Sequence, residues 1–258
     1  MSDEVRARQL LGSDVELARL DFSDPTTFPC AQGADHLFLM RPPAIANVAD
    51  TLLPFVDEAR RRGVKLIVFL SVAGAETNRL VPHHAVEKHL QRDCAWTILR
   101  PGFFAQNFGD AYRQDIVEDD RVFVPAGEGR VAFVDVRDVA EVAASAFSSP
   151  GEHAGRGYTL TGPAAIGFAA ATAELSTLLE RQIRYQPASI IGYGAHLRER
   201  GLPWAQLAVQ TVLHVGLRFG QAERVDTTLA LLLGHLPRTL ADHFRDHCEQ
   251  WQRAHPTS

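Results

Sequence analysis

The sequence predicts a soluble α/β protein with a doubly wound, mostly parallel sheet and a smaller, mainly helical lobe. Two observations predict this. Runs at 36–40, 65–70 and 95–99 are apolar almost throughout, and segments with helical periodicity separate them. Strands without a polar face are typical of parallel sheets that helices cover on both sides.

Turn residues divide the first half into alternating helices and strands. Gly12 and Gly63 each end a predicted helix, and the Arg41-Pro42-Pro43 corner ends a strand, since proline cannot donate to a sheet. The predicted elements are, in order, a helix over 4–11, a strand over 15–20, a strand over 36–40, a helix over 44–62, a strand over 65–70, a helix over 83–92 and a strand over 95–99.

The second half is less regular. Short strands over 122–124 and 131–134 flank Gly127-Glu-Gly129, which we interpret as a hairpin-like turn, and Gly192-Tyr-Gly194 is interpreted as a loop or helix start. The other predicted elements are a helix over 135–148, a strand over 158–160, a helix over 166–179, a strand over 183–185 and helices over 204–219 and 240–251.

The change from strands to helices places a soft boundary near residue 150. It divides the chain into an α/β core over 1–150 and a mainly helical lobe over 151–258. Asp135 is expected to cap the helix that leads to this boundary, with Asp138 three residues later completing a capping box.

Composition excludes several classes of function. The net charge of −5 gives no electrostatic reason for a nucleic-acid partner. Three cysteines, Cys30, Cys94 and Cys248, without a C-x-x-C pattern predict neither a disulfide framework nor a structural zinc site. No apolar run approaches the roughly 20 residues of a membrane span. The start MSDEVRARQ lacks the apolar stretch of a signal peptide, and we expect a cytoplasmic location and no membrane partner.

Several segments, taken in order, resemble those of a known family. They are Asp21-Phe-Ser-Asp-Pro25, Arg41-Pro42-Pro43, Leu70-Ser71, His83-x-x-x-Glu87, Thr97-Ile-Leu-Arg-Pro-Gly102, Phe103-Phe104-x-x-Asn107, Val134-Asp-Val-Arg-Asp138 and Tyr158-Thr-Leu-Thr-Gly162. Over nearly its whole length the chain resembles the NmrA-like branch of the atypical short-chain dehydrogenases/reductases. The resemblance implies a Rossmann-like core that binds NADP or NAD and a second lobe that binds the substrate.

One departure from the family concerns the start. Members begin with a strand, a G-x-x-G-x-x-G loop, a helix and a second strand, and the glycines let the backbone approach the pyrophosphate. This sequence has no such motif and begins just before the helix that follows the second strand. We therefore expect an N-terminally truncated sheet that lacks the first βαβ unit. Either the native protein is longer, or the short form has lost dinucleotide chemistry. Lost strands favour a homodimer that covers an exposed edge.

The resemblance also implies a set of site residues. The cofactor would contact Asp21, Met40, Arg41, Pro42, Ser71, Pro101 and Phe103, and the substrate would contact Phe104, Tyr193 and Trp204. Asp21 corresponds to a contact with the adenine amino group. Arg41 adds a cation that suits a phosphate or carboxylate. Two prolines that simply end a strand explain the Arg41 corner equally well.

The candidate catalytic residues are His83, Glu87, Asn107 and Ser71. His83 and Glu87 stand where the superfamily usually has Tyr and Lys, and their i, i+4 spacing places them on one helical face. We expect Glu87 to orient the imidazole and raise its basicity. The alternative is a solvated polar helix start. No metal is expected, because His243 and His247 at i, i+4 lack an obvious third ligand.

Three functions remain open at this point. The first is an NAD(P)H-dependent reductase of a small, apolar carbonyl or quinone-type substrate, which is implied by the resemblance. The second is a cofactor-independent acid–base enzyme, such as a cyclase, isomerase or dehydratase, that uses His83 and Glu87. The third is a non-catalytic regulatory or binding protein.

Overall fold

The computed structural model describes residues 4–93 and 95–253, so Cys94 lies outside the described residues. The chain divides into two compact units. The first extends from the N-terminal residues to Arg100 and includes Ser145–Gly157, whereas the second comprises Pro101–Ala144 and the residues from Tyr158 onward.

The elements alternate in the first unit and become mainly helical toward the C-terminus. The helices are α1 (Glu4–Leu11), α2 (Leu52–Arg61), α3 (Pro82–Asp93), α4 (Arg113–Asp119), α5 (Val136–Ser148), α6 (Pro150–His153), α7 (Phe168–Leu179), α8 (Ile190–Glu199), α9 (Trp204–Leu217), α10 (Thr228–Leu233) and α11 (Leu240–Asp246). The strands are β1 (His36–Met40), β2 (Leu66–Leu70), β3 (Ala95–Pro101), β4 (Arg121–Val124), β5 (Arg130–Val131), β6 (Arg156–Leu160), β7 (Ile166–Gly167) and β8 (Arg184–Pro187). Short 3-10 helices cover Pro25–Ala31, Ala105–Phe108 and Cys248–Trp251.

The main sheet has the strand order β1-β2-β3-β6. β1, β2 and β3 are parallel, and their register aligns Met40 with Leu70 and Leu70 with Leu99. The predicted parallel sheet is therefore confirmed. Because the strands are parallel and aligned without an offset, their carboxyl ends lie together at one edge of the sheet. Open α/β sheets bind ligands at this edge.

Helix α2 covers one face of this sheet with an apolar stripe. Leu52, Phe55, Val56 and Ala59 are all buried and recur at the i, i+3, i+4, i+7 spacing of an amphipathic helix. The ring of Phe28 meets that of Phe55 edge-on at 5.4 Å. Phe28 belongs to the 3-10 helix over Pro25–Ala31, and the same buried cluster includes Leu39, Ile67 and Phe69 of the sheet.

Two predicted elements of the first unit are wrong. Residues 15–20 do not form a strand, because no strand among the described residues pairs with them. The helix expected over 44–62 begins only at Leu52. The Asn47 side chain donates to Asp50, and the Thr51 hydroxyl donates to the Asn47 carbonyl, at 2.6 Å in both cases. These local bonds compete with helix formation and hold the segment as turns.

The second unit contains two small sheets instead of a hairpin. β4 pairs in parallel with β8, and β5 pairs antiparallel with β7. The hairpin-like turn predicted at Gly127-Glu-Gly129 is therefore wrong, because the two strands that flank it pair with different partners. Gly192 and Gly194 lie inside α8, as the helix-start alternative predicted.

The start of α5 confirms one predicted cap and corrects another. Asp135 accepts a hydrogen bond from the backbone N–H of Arg137 at 2.9 Å, as an N-cap does. Asp138 does not complete a capping box. Its buried carboxylate accepts the backbone N–H of Arg238 at 2.8 Å and pairs with the Arg238 guanidinium, which ties the C-terminal segment to α5.

The other differences are at element ends. The strand expected over 131–134 is limited to Arg130–Val131, the helix expected from residue 166 begins at Phe168, and α11 ends at Asp246 before a separate 3-10 turn. Among the described residues, no helix is long and apolar enough to cross a bilayer.

Gly162 allows a backbone crossing in the second unit that a side chain would obstruct. A Cβ at this position would lie 1.8 Å from the Phe133 carbonyl oxygen. Because the obstructing atom belongs to the backbone, Gly162→Ala is expected to destabilise the protein by about 3 kcal/mol. Urea unfolding measures this loss. Gly151→Ala, which meets nothing within 4 Å, is the control, and equal stability of both variants would contradict the close crossing.

Candidate functional site

Five polar side chains gather at the carboxyl edge of the sheet in the first unit. Arg41 follows β1, Ser71 follows β2 and Arg100 belongs to the end of β3, while the first half of α3 supplies His83 and Glu87. We call these five residues the edge cluster. Four of them, all except Arg100, are residues that the sequence predicted.

Glu87 is held by two members of the edge cluster. The Ser71 hydroxyl donates to its Oε1 at 2.5 Å, and Arg100 donates to Oε2 at 2.7 Å through Nη2 and to Oε1 at 3.0 Å through Nε. A Cβ on Gly157 would lie 2.7 Å from Nη1 of Arg100, so glycine there leaves room for the guanidinium. Glu87 is thus a fixed, buried anion.

The imidazole of His83 forms no hydrogen bond with Glu87 among the described residues, so the prediction that Glu87 orients the ring is wrong. His83 Nε2 accepts the N–H of Arg41 Nε at 3.3 Å, while Nδ1 is buried without a partner among the described residues. Burial chiefly, and then the nearby Arg41 cation, lower the pKa of His83 to about 4, against a weaker opposing effect of Glu87. The ring is therefore neutral near pH 7. Because Nε2 accepts a hydrogen bond, its proton resides on Nδ1.

Arg41 is a half-buried cation without an acidic partner. Its Nη1 donates to the backbone carbonyls of Pro42, Pro43 and Ile45, and no ion pair among the described residues includes it. Burial lowers the pKa of its guanidinium. A cation whose partners are all neutral, namely three backbone carbonyls and the His83 imidazole, is suited to an incoming anion such as a phosphate.

The predicted site residues from the end of β3 onward differ in burial and in their partners within the second unit. Pro101 is buried at the strand end. Phe103 packs edge-on against Phe133 and His214, with ring centroids 5.9 and 5.6 Å away, so most of its ring is core. Phe104 is half-buried. The side-chain amide of Asn107 makes no hydrogen bond to any described residue, which leaves it available to a ligand.

A second polar cluster lies in the second unit, and the sequence predicted only part of it. Tyr193 is buried in a cleft beside Tyr112 and Gln210. Tyr112 and His214 hydrogen-bond although they are 102 residues apart. The one feature of the sequence that could have pointed to His214 is its place as a histidine in α9, a mainly apolar helix without charged residues. Trp204, by contrast, is 66% exposed, and Arg198 stacks on its ring.

The other predicted positions have local partners of their own. Asp21 is exposed in a turn, where Ser23 donates to its carboxylate and lowers its pKa. His243 pairs with Asp135 at 3.3 Å, and its ring lies 4.9 Å from that of His247. No group of three potential metal ligands converges anywhere in the described ranges.

The buried histidines make stability depend on pH. Burial lowers the pKa of His214, like that of His83, to about 4 from 6.5. Between pH 6.5 and about pH 4 these histidines bind a proton in the unfolded state but not in the folded state. The free energy of unfolding therefore falls as pH falls. For His214→Gln this fall is expected to be shallower by up to about 1.4 kcal/mol per pH unit. Urea unfolding from neutral pH to about pH 4.5 measures the slope.

The matched control for this titration is His235→Gln. The Leu236 carbonyl and Glu141 raise the pKa of this exposed histidine, so its removal is expected to leave the acid-induced loss in place. An unchanged slope in His214→Gln would contradict a neutral, buried His214.

Comparison with known proteins agrees with this architecture. An NAD(P)H azoreductase of Xenophilus azovorans is 29% identical over 251 residues, which cover 95% of this chain and 87% of the azoreductase. An NADPH-dependent quinone oxidoreductase of Escherichia coli, solved in complex with NADPH, is 27% identical with a TM-score of 0.82, and the match covers 95% of this chain and 87% of that one. The chain has the fold of these NAD(P)-binding reductases.

Further matches support the same fold. A triphenylmethane reductase of Citrobacter in complex with NADP(H) is 23% identical with a TM-score of 0.82, over 95% of this chain and 88% of that one. No protein-family profile matches the chain. The relatives named here are reductases, as the resemblance implies, and they give the cyclase or isomerase alternative no support. Nothing in the matches confirms the missing first βαβ unit, which stays a prediction.

Proposed function

We propose that the protein is an NAD(P)H-dependent reductase of a small, apolar acceptor such as a quinone. The observation that carries this proposal is the pair formed by Arg41 and His83 at the carboxyl edge of the parallel strands. Within the part of the chain that the structure describes, Arg41 is a cation without an anionic partner, and His83 has a buried N–H without an acceptor. The similarity to a quinone oxidoreductase and an azoreductase over 95% of the chain supports it.

The edge cluster fits the nicotinamide half of a dinucleotide. Arg41 would hold a phosphate, and Met40, Pro42 and Ser71 would line the same strand ends. When bound, the reduced nicotinamide supplies a hydride. The contact that we propose for the phosphate is the Arg41 guanidinium, which has no acidic partner among the described residues. Asp21 remains the proposed adenine contact.

His83 would act as a hydrogen-bond donor and not as an acid. A neutral imidazole polarises an acceptor oxygen through its N–H while keeping its proton. Two features keep this ring neutral: its burial, and its position in the first turn of α3, where the helix dipole disfavours a cation. Arg41 fixes the tautomer by donating to Nε2. The proton that the reduced product needs then comes from water.

The acid–base alternative requires a carboxylate that is free to exchange protons. Glu87 is buried and engaged by Ser71 and Arg100, and the pKa of His83 near 4 makes it a weak base. This arrangement favours the reductase over a cofactor-independent enzyme.

The direct test of the function is the oxidation of NADPH in the presence of duroquinone, a quinone that does not alkylate thiols. The reductase proposal predicts saturable loss of NADPH absorbance that requires both the protein and the quinone. A folded, monodisperse sample that catalyses no such oxidation with quinone, azo or triphenylmethane acceptors would contradict the proposal and leave the binding-protein alternative.

Removal of the Arg41 charge is expected to weaken cofactor binding. A hydrogen bond to a charged group contributes about 1.5–3 kcal/mol, so Arg41→Met should raise the Kd of NADPH about 10- to 100-fold. Calorimetric titration measures the constant. Arg79→Met, which removes an exposed arginine from the same unit, is the control. Equal constants for both variants would show that the Arg41 corner only ends a strand.

A further inference from the structure

A cleft of about 180 Å³ lies within the second unit, between the start of α4, helices α8 and α9, and strand β4. Its apolar wall consists of Phe123, Leu197 and Leu202. A cavity of roughly 150 Å³ is enough to hold one benzene ring. The cleft therefore has room for a single aromatic ring.

Part of the polar lining is already committed. The Tyr112 hydroxyl donates to Nε2 of His214 at 2.6 Å, and Nδ1 of His214 donates to the Gln210 backbone carbonyl at 2.7 Å. Because burial keeps His214 neutral, with a pKa of about 4, its single N–H is used in this chain. Neither Tyr112 nor His214 has a proton left to offer a ligand.

Two other donors in the cleft are not committed. The Tyr193 hydroxyl lies 3.5 Å from both Gln210 Oε1 and His214 Nδ1, which is the outer limit of a hydrogen bond. The side-chain nitrogen of Gln210 has no hydrogen bond to any described residue. A buried hydroxyl with only long contacts is satisfied better by an acceptor that enters the cleft.

The charges around the cleft select a neutral ligand. The buried Asp115 is paired with His196 at 2.8 Å and with Arg200 at 2.9 Å. Arg200 is shared with further acids at the surface, so it has no excess positive charge for an anion. Asp110 is exposed at the rim, where it repels carboxylates.

We propose that this cleft binds a neutral, one-ring aromatic carbonyl compound, whose oxygen accepts hydrogen bonds from Tyr193 and Gln210. This inference goes beyond the proposed function and assigns the second unit a ligand class of its own. It concerns binding by the second unit and does not require a bound cofactor.

The test is calorimetric titration of the whole chain, without NADPH, with para-hydroxyacetophenone. The expected result is one saturable site. Binding of para-hydroxybenzoate, which has the same size but a negative charge, should be weaker, as should binding of the two-ring ketone acetonaphthone. Loss of one hydrogen bond in Tyr193→Phe should weaken ketone binding about fivefold.

Tyr185→Phe is the matched control. The Tyr185 hydroxyl donates to the Gly127 carbonyl at 2.8 Å and does not line the cleft, so ketone affinity should stay unchanged. Leu202→Trp, which fills the cleft, should abolish binding and provides a second variant if Tyr193→Phe does not fold. The proposal is overturned if the wild type does not bind the ketone. It is also overturned if Tyr193→Phe and Leu202→Trp both bind the ketone with the affinity of the wild type.

The two proposals fail in different ways. Reduction of duroquinone without ketone binding in the cleft would overturn this inference and leave the reductase intact. Ketone binding that depends on Tyr193, with no NADPH oxidation toward any acceptor, would support the inference and contradict the reductase.

Discussion

Replacement of His83 by phenylalanine is expected to lower kcat/KM for quinone reduction about 100-fold, the effect of removing one hydrogen-bond donor from a developing oxyanion. The phenyl ring keeps the packing against Phe69, whose ring centroid lies 6.0 Å from the imidazole, and removes only the polar atoms. Steady-state kinetics with NADPH and duroquinone measures the change. The loss should appear mainly in kcat, because the hydrogen bond strengthens as charge develops on the acceptor.

The pH profile distinguishes a donor from a general acid. With a pKa of about 4, His83 does not titrate in the neutral range, so no step in kcat near pH 6.5 should arise from this residue. His89→Phe changes another histidine of α3, whose side chain pairs with Asp57, and should leave kcat unchanged. Equal activity of His83→Phe and the wild type would assign His83 to packing alone.

Replacement of Glu87 by alanine is expected to destabilise the protein by about 3 kcal/mol, because it removes the buried acceptor of the Ser71 hydroxyl and leaves Arg100 with only the more exposed Glu76, at 3.4 Å, as an acidic partner among the described residues. The Arg100 side chain is only 12% exposed and that of Glu87 only 1%, so water replaces little of the lost interaction. Urea unfolding of the variant gives the change. Glu152→Ala removes an exposed carboxylate of the same unit and should change stability by less than about 0.5 kcal/mol.

A double-mutant cycle shows whether the cost comes from the unpaired cation. Arg100→Met combined with Glu87→Ala should be more stable than Glu87→Ala alone, since the double variant buries no unpaired charge. Additive losses would mean that Arg100 and Glu87 do not interact in the folded protein.

Periodicity along the chain predicted the elements that depend on local pattern. β2 is apolar throughout and buried on both faces, and its run of apolar residues can be recognised without knowledge of its neighbours. β1 is nearly as apolar, although Phe38 and Met40 on one of its faces are exposed. Residues 15–20 have similar apolar content, but a strand also needs a partner backbone. No local pattern supplies that information.

Contacts between distant residues set the limits of sequence analysis at the site. The i, i+4 spacing placed His83 and Glu87 on one face of α3. It did not show that Arg100 forms an ion pair with Glu87 or that Arg41 donates a hydrogen bond to His83. The Asp138–Arg238 contact joins residues 100 apart. The sequence predicted a different role for Asp138, as part of a capping box. Long-range hydrogen bonds of this kind leave no periodic signal.

Calorimetric titration of the 258-residue chain with NADPH shows whether the protein binds a dinucleotide. We expect one saturable site of about micromolar affinity that Arg41→Met weakens, because the carboxyl edge of the sheet would hold the nicotinamide half of the cofactor. A well-folded sample that binds neither NADPH nor NADH would contradict redox catalysis by this chain.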